Sequence, residues 1–123
     1  MKLHSPATTG LLAITSYDAG HIAVNGRRLT SSFILTPQRL IENWPPTDFT
    51  ALNADHFALL SALKPDLVLL GTGATLRFPR PELTQSLHAG RIGLEVMDNA
   101  AACRTFNILL AEGRSVIAAV LLG

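Results

Sequence analysis

The stretch from Arg91 to Gly123 constrains the fold more than any other part of this sequence. Ile92 to Val96 reads as a strand, and Asp98 or Asn99 can cap a helix directly after it. The helix carries an apolar stripe of Ala102, Phe106, Leu109 and Leu110 and runs to about Glu112, where Gly113 stops it. Ser115 to Leu122 then returns as a continuous apolar run, the pattern of a strand buried on both faces. Strand, capped helix, glycine stop and buried strand form a unit whose crossover is right-handed and whose strands are parallel.

The preceding chain extends the pattern. Leu52, His56, Leu59, Leu60 and Leu63 fall on one helical face, with Asn53 or Asp55 available as a cap and Pro65 as the end. Leu67-Val68-Leu69-Leu70 is a second continuous apolar run, and a short helix is expected over 82–89, with Gly90 as its stop. Two helices thus alternate with three buried strands. The N-terminal part has a different period. Ile14 to Tyr17 and His21 to Val24 alternate around a turn at Asp18-Ala19-Gly20. Asn25-Gly26 is a hairpin signal, because both turn positions favour positive φ. Arg27 to Leu35 is expected as one third strand, and 39–44 as an edge before Pro45-Pro46. The fold class is therefore α/β: one three-layer domain over 1–123, with a mixed central sheet, a largely parallel C-terminal half, an antiparallel N-terminal meander and a loose lead-in at 1–10.

Composition restricts function more than it reveals it. Of 123 residues, 48% are hydrophobic and 15% charged. That excludes a disordered chain and predicts a self-association patch or a partner surface. Net charge is +1, the ten basic residues are scattered, and there is one Trp and one Tyr, which argues against nucleic-acid binding. The N-terminus lacks the apolar core of a secretory signal. The longest apolar run, Val116 to Leu122, falls well short of the roughly 20 residues of a membrane helix. A single cysteine fits a reducing compartment, and the expected location is cytoplasmic.

The motifs are weak in chemistry. Gly71-Thr72-Gly73 follows a buried strand, but Leu76 stands where a dinucleotide loop needs its third glycine, and Pro79 and Pro81 delay the next helix. A tight strand exit is the favoured reading, and a small-ligand or anion loop the other. Cys103 on the second turn of its helix reads as a buried structural thiol. Arg104 and Asn107 share a helix face, with Arg114 near its end. They read as a solvated face or as a polar cluster on a crevice or partner surface. The four histidines have no metal-ligand spacing, and His56 beside Asp55 reads as a helix-face residue. No catalytic, cofactor-binding or metal-binding residue is assigned.

Taken together, Gly71-Thr72-Gly73, the run Gly93-Leu94-Glu95-Val96-Met97-Asp98 into Ala101 to Leu109, Glu112-Gly113-Arg114, and Tyr17, Ile22 and Asn25-Gly26 at the front resemble the small Mth-type domain of unknown function. The resemblance covers about 14–122. Phe106 stands where that family often has Tyr, and Asp98 where Thr is frequent. The resemblance implies a three-layer α/β fold and no established activity or cofactor. One mitochondrial member acts in assembly of a respiratory complex, so a non-catalytic role with a protein partner is implied. Open α/β sheets supply the alternative, a small-molecule or anion-binding domain or an enzyme, because ligands sit beyond the carboxyl ends of parallel strands. Candidate contacts are Gly71, Thr72, Gly73, Asp98, Asn99, Arg104, Asn107 and Arg114, with a crevice expected where Gly71-Gly73 meets Asp98-Asn99.

Overall fold

A computed structural model describes residues 10–18 and 20–122. The expected lead-in, apart from Gly10, and Ala19 of the expected turn lie outside the described residues. The front half opens with β1 (Ile14–Tyr17), β2 (Ile22–Val24) and β3 (Arg27–Leu29), a three-stranded antiparallel sheet. Asn25 and Gly26 turn the β2–β3 hairpin at φ 47 and 86, the left-handed pair that the Asn-Gly signal predicts.

The expectation of one strand from Arg27 to Leu35 is corrected. The chain leaves the meander after Leu29, and β4 (Phe33–Leu35) belongs to a second, five-stranded sheet. Phe33, Ile34 and Leu35 are all fully buried, so β4 needs cover on both faces. The crossing is fastened by Ser32. Its hydroxyl accepts from the Leu122 N–H at 2.9 Å and donates to the Leu122 carbonyl at 3.2 Å. Its carbonyl accepts from the Trp44 N–H at 2.9 Å.

The large sheet is completed by β5 (Leu40–Glu42), β6 (Leu67–Gly71), β7 (Gly93–Met97) and β8 (Val116–Val120), in the order β5-β4-β8-β6-β7. β6 runs parallel to both β7 and β8, and β4 antiparallel to both β5 and β8. Two cores flank this sheet, as strand alternation requires. Val116, Ala118 and Val120 face one, with Cys103, Phe106 and Leu110 and the meander residues Ile14, Ile22 and Leu29. Ile117, Ala119 and Leu121 face the other, with Phe57, Leu60, Leu87 and Trp44. β6 and β8 are buried on both faces, but β7 is the sheet edge and only half-buried, contrary to the expectation of three buried strands.

Three helices pack on the sheet: α1 (Ala54–Ala62), α2 (Gln85–Ala89) and α3 (Asn99–Ala111). In α1 the buried stripe is Phe57 and Leu60, and Leu59, expected inside, is 43% exposed. The single helix expected over 82–89 is split into a turn of 3-10 helix at Pro81–Leu83 and α2. Thr84 sits at the break, and its hydroxyl donates back to the Pro81 carbonyl at 3.3 Å, a bond that competes with helix continuation. Gly90 is not the left-handed stop. Gly90 has φ −83 and Arg91 has φ 57, while the Ile92 N–H closes the motif on the Leu87 carbonyl at 2.9 Å.

Asn53 caps α1 reciprocally. Its side chain accepts from the His56 N–H, and its own N–H donates to His56 Nδ1, both at 3.1 Å. Burial pushes the His56 pKa below its ordinary value near 6.5, against an opposing pull from Asp55. The folded state therefore favours the neutral ring, whose Nδ1 can accept. His56 then contributes stability that is present above about pH 6.5 and lost as pH falls through its lower folded value. His56→Gln keeps an acceptor and does not titrate. Urea unfolding at about pH 7.5 and about pH 5.5 should show a smaller acid-induced loss for His56→Gln than for the unsubstituted chain. Equal losses would mean that His56 is not the titrating group.

Candidate functional site

Two parallel strands, β6 and β7, end side by side, and the segments that leave them bind one another. The Gly73 N–H donates to Asn99 Oδ1 at 3.0 Å, and the Asn99 N–H donates to the Gly73 carbonyl at 2.9 Å. Asn99 Nδ2 also reaches the Leu121 carbonyl at 2.8 Å, and the Leu121 N–H returns to the Gly71 carbonyl at 3.0 Å. One amide side chain thus ties the exits of β6 and β8 to the start of α3. Glycine at 71 follows from this. A Cβ there would stand 2.5 Å from Asn99 Oδ1. Thr72 is buried, and its hydroxyl donates to the Thr75 carbonyl at 2.7 Å and accepts from the Arg77 N–H at 3.2 Å, which shapes the loop beyond.

A crevice of about 280 Å³ opens where these segments meet the β1–β2 hairpin. Gly73, Ala74, Asp98 and Asn99 form one side, and Tyr17, Asp18 and Ile22 the other. Asp98 caps α3, its Oδ1 accepting from the Ala101 N–H at 2.8 Å. Asp18 caps its own turn, accepting from the Gly20 and His21 N–H groups at 2.8 and 3.0 Å. The Gly20 N–H is the main influence holding the Asp18 carboxyl below its usual range, and the His21 N–H and ring assist. His21 Nδ1 lies 2.9 Å from Asp18 Oδ1, but outside hydrogen-bonding geometry. On the exposed side, the Tyr17 side chain and then Asp98 raise the pKa of the Arg104 guanidinium further.

The structure brings Gly71, Thr72, Gly73, Asp98 and Asn99 together, with Arg104 at the margin beside Tyr17. It does not bring Asn107 or Arg114 there. Asn107 clamps β1: its Oδ1 accepts from the Ile14 N–H at 2.9 Å, and its Nδ2 donates to the Ile14 carbonyl at 2.7 Å. Arg114 follows the far end of the thirteen-residue α3, about 20 Å along its axis from the cap. Cys103 is buried, and burial pushes its thiol up to about 12 against the pull of Arg104, so it stays protonated at neutral pH. No group of three or more His, Cys, Asp or Glu suited to a metal ion occurs among the described residues. The hairpin half of the crevice was not assigned from sequence. Its local signal was Asp18 two residues before Gly20, a turn in which the carboxylate faces its own backbone. Nothing local places that turn against α3.

Comparison with known proteins gives a consistent identity. Residues 14–121 match the family described as "Protein of unknown function (DUF498/DUF598)". Bovine (Bos taurus) NADH dehydrogenase [ubiquinone] 1 alpha subcomplex assembly factor 3 is 32% identical over 110 residues, covering 88% of this chain and 59% of that protein. The chain thus spans about three fifths of the length of that relative. A crystal structure of a Bordetella parapertussis protein superposes with a TM-score of 0.87 at 35% identity, covering 93% of this chain and 98% of that one. A solution structure of a Bordetella pertussis protein, described as an Mth938-like domain, gives 0.82 at 30% identity, covering 99% and 92%. The match across both sheets, the crevice and all three helices means that this chain belongs to the DUF498/DUF598 family.

Proposed function

We propose that this protein is a non-catalytic interaction or assembly factor that engages a protein partner at the crevice end of the sheet. The observation that carries the reading is the loop leaving β6. Just beyond Gly73 it holds Leu76 at 51% and Phe78 at 71% exposure, while the polar groups beside it are taken up internally by Asn99 and Thr72. Large apolar side chains held out by an internally bonded loop suit recognition better than turnover. Relatives named as a complex I assembly factor support the same direction. Asp98 and Arg104 supply charge at the rim that can orient a partner. No helix among the described residues is long and apolar enough to cross a membrane.

Leu76→Ser with Phe78→Ser is expected to weaken partner capture at least tenfold while shifting the melting temperature little, because both side chains are exposed. Undiminished capture of a partner identified with the unsubstituted chain would sink this reading. The crevice favours a second reading, a small ligand held between Tyr17, Asp18 and Asp98. Amide shifts confined to Gly73, Ala100 and Ile22 on titration with pooled metabolites would support it.

A further inference from the structure

The two sheets have four edges among the described residues, and three of them are closed by a recognisable device. On β1, the Asn107 side chain takes both backbone groups of Ile14. β3 is three residues long and carries Arg27 and Arg28. β5 is also three residues long, lies between Pro37 and Pro45, and has Glu42 joined to Arg27 at 2.7 Å. β7 is different. It runs for five residues without proline, and β6 is its one neighbour in the sheet order. The Gly93 N–H donates to the Asp66 carbonyl at 3.0 Å, and the Met97 carbonyl accepts from the Thr72 N–H at 2.9 Å. By alternation, Gly93, Glu95 and Met97 turn their backbone groups toward β6, and Leu94 and Val96 turn theirs outward. Both of these outward residues are also half-buried apolar side chains.

We propose that β7 is the surface through which two copies of this chain pair, edge to edge and antiparallel about a two-fold axis. Charge selects both the occupant and the register. Centring the pair on Glu95 would set two carboxylates face to face, which is unfavourable. Centring it on Leu94 lets the two Leu94 residues exchange both backbone hydrogen bonds. Glu95 then stands opposite Gly93 of the second copy, which has no side chain to obstruct it, and Arg91 of the second copy follows two residues along the same edge, at the left-handed turn (φ 57) that leads into β7. The Ile92 N–H is already held by the Leu87 carbonyl, but the Ile92 carbonyl is free of β6 and can receive the Val96 N–H of the second copy. Arg91 and Glu95 are both exposed in the single chain, so the match forms without dismantling any contact. A segment carrying both members of its own charge pair is self-complementary, as a two-fold interface requires. This contact lies along the side of the sheet and is independent of the partner reading above.

Sedimentation velocity over a rising concentration series tests the proposal. The mass is expected to climb from 13.2 kDa toward twice that value. Glu95→Arg sets two cations side by side and should hold the chain at the single mass at concentrations where the unsubstituted protein pairs, with an unchanged circular dichroism melt. Glu95→Arg combined with Arg91→Glu exchanges the pair and should restore the larger mass. An unsubstituted chain that stays at 13.2 kDa through the millimolar range overturns the proposal. So does a dimer that survives Glu95→Arg, or one that the double exchange does not restore.

Discussion

Phe106→Ala is expected to destabilise the fold by about 3–5 kcal/mol, the range for an aromatic side chain removed from a fully enclosed site. Phe106 has no exposed surface. It lies in the core between α3, the meander and the large sheet, with Ile14, Ile22, Leu69 and Val120 in the same cluster. Three elements distant in sequence share its ring, so the cavity cannot be closed by moving one of them. At about 3 °C or more for each kcal/mol in a domain of this size, the melting midpoint should fall by roughly 10–20 °C. Phe106→Leu keeps much of the volume and should lose well under half as much. A midpoint unmoved by Phe106→Ala would mean that the α3–meander core does not form as described.

A second large effect is expected at Gly71 and Asn99, and its form is more telling than its size. Asn99→Ala leaves the Gly73 N–H and the Leu121 carbonyl without their partner, each worth about 1–3 kcal/mol, so a loss of about 2–4 kcal/mol is expected. Gly71→Ala inserts a Cβ 2.5 Å from Asn99 Oδ1 and should cost about 1–3 kcal/mol by pushing that side chain off its bonds. The two losses have one cause, so they should not add. Once Asn99 is alanine, the 2.5 Å clash with its Oδ1 is gone and the Ala102 Cβ stands at an ordinary 3.4 Å from the new methyl at 71. The double variant should therefore lie close to Asn99→Ala alone, with a coupling of about 1 kcal/mol or more in a denaturant-melt cycle. Strict additivity would show that Gly71 is needed for some other reason.

What could be read from sequence divides along a physical line. β6 and β8 were legible because burial on both faces writes an uninterrupted apolar run, and α3 because its cap, stripe and glycine stop agree. The meeting of Gly71-Gly73 with Asp98-Asn99 was legible too, since parallel neighbours end on the same side of a sheet. Contacts set by long-range packing were not. The Asn107 clamp joins residues 93 apart, and its amide looks in sequence like any polar residue on a helix. Arg27 to Leu35 reads as one strand because the change of sheet at Ser32 depends on Leu122, 90 residues later. Tyr17 and Asp18 reach the crevice only because the meander lies across α3. Arg91 and Gly90 differ by one position, the usual error at a helix end.

The position of β8 bears on how the fold is made. β8 lies between β4 and β6 and, of the eight strands among the described residues, is synthesised last. Until it emerges, β4–β5 and β6–β7 are separate fragments, each with one apolar edge open to solvent. Vectorial synthesis therefore cannot consolidate the large sheet piecemeal, and closure waits on contacts of long sequence separation. The nascent chain passes through an interval in which Phe33, Ile34 and Leu35 on one fragment, and Val68, Leu69 and Leu70 on the other, await the same missing strand. A factor that shields apolar strand edges during translation would act in that interval.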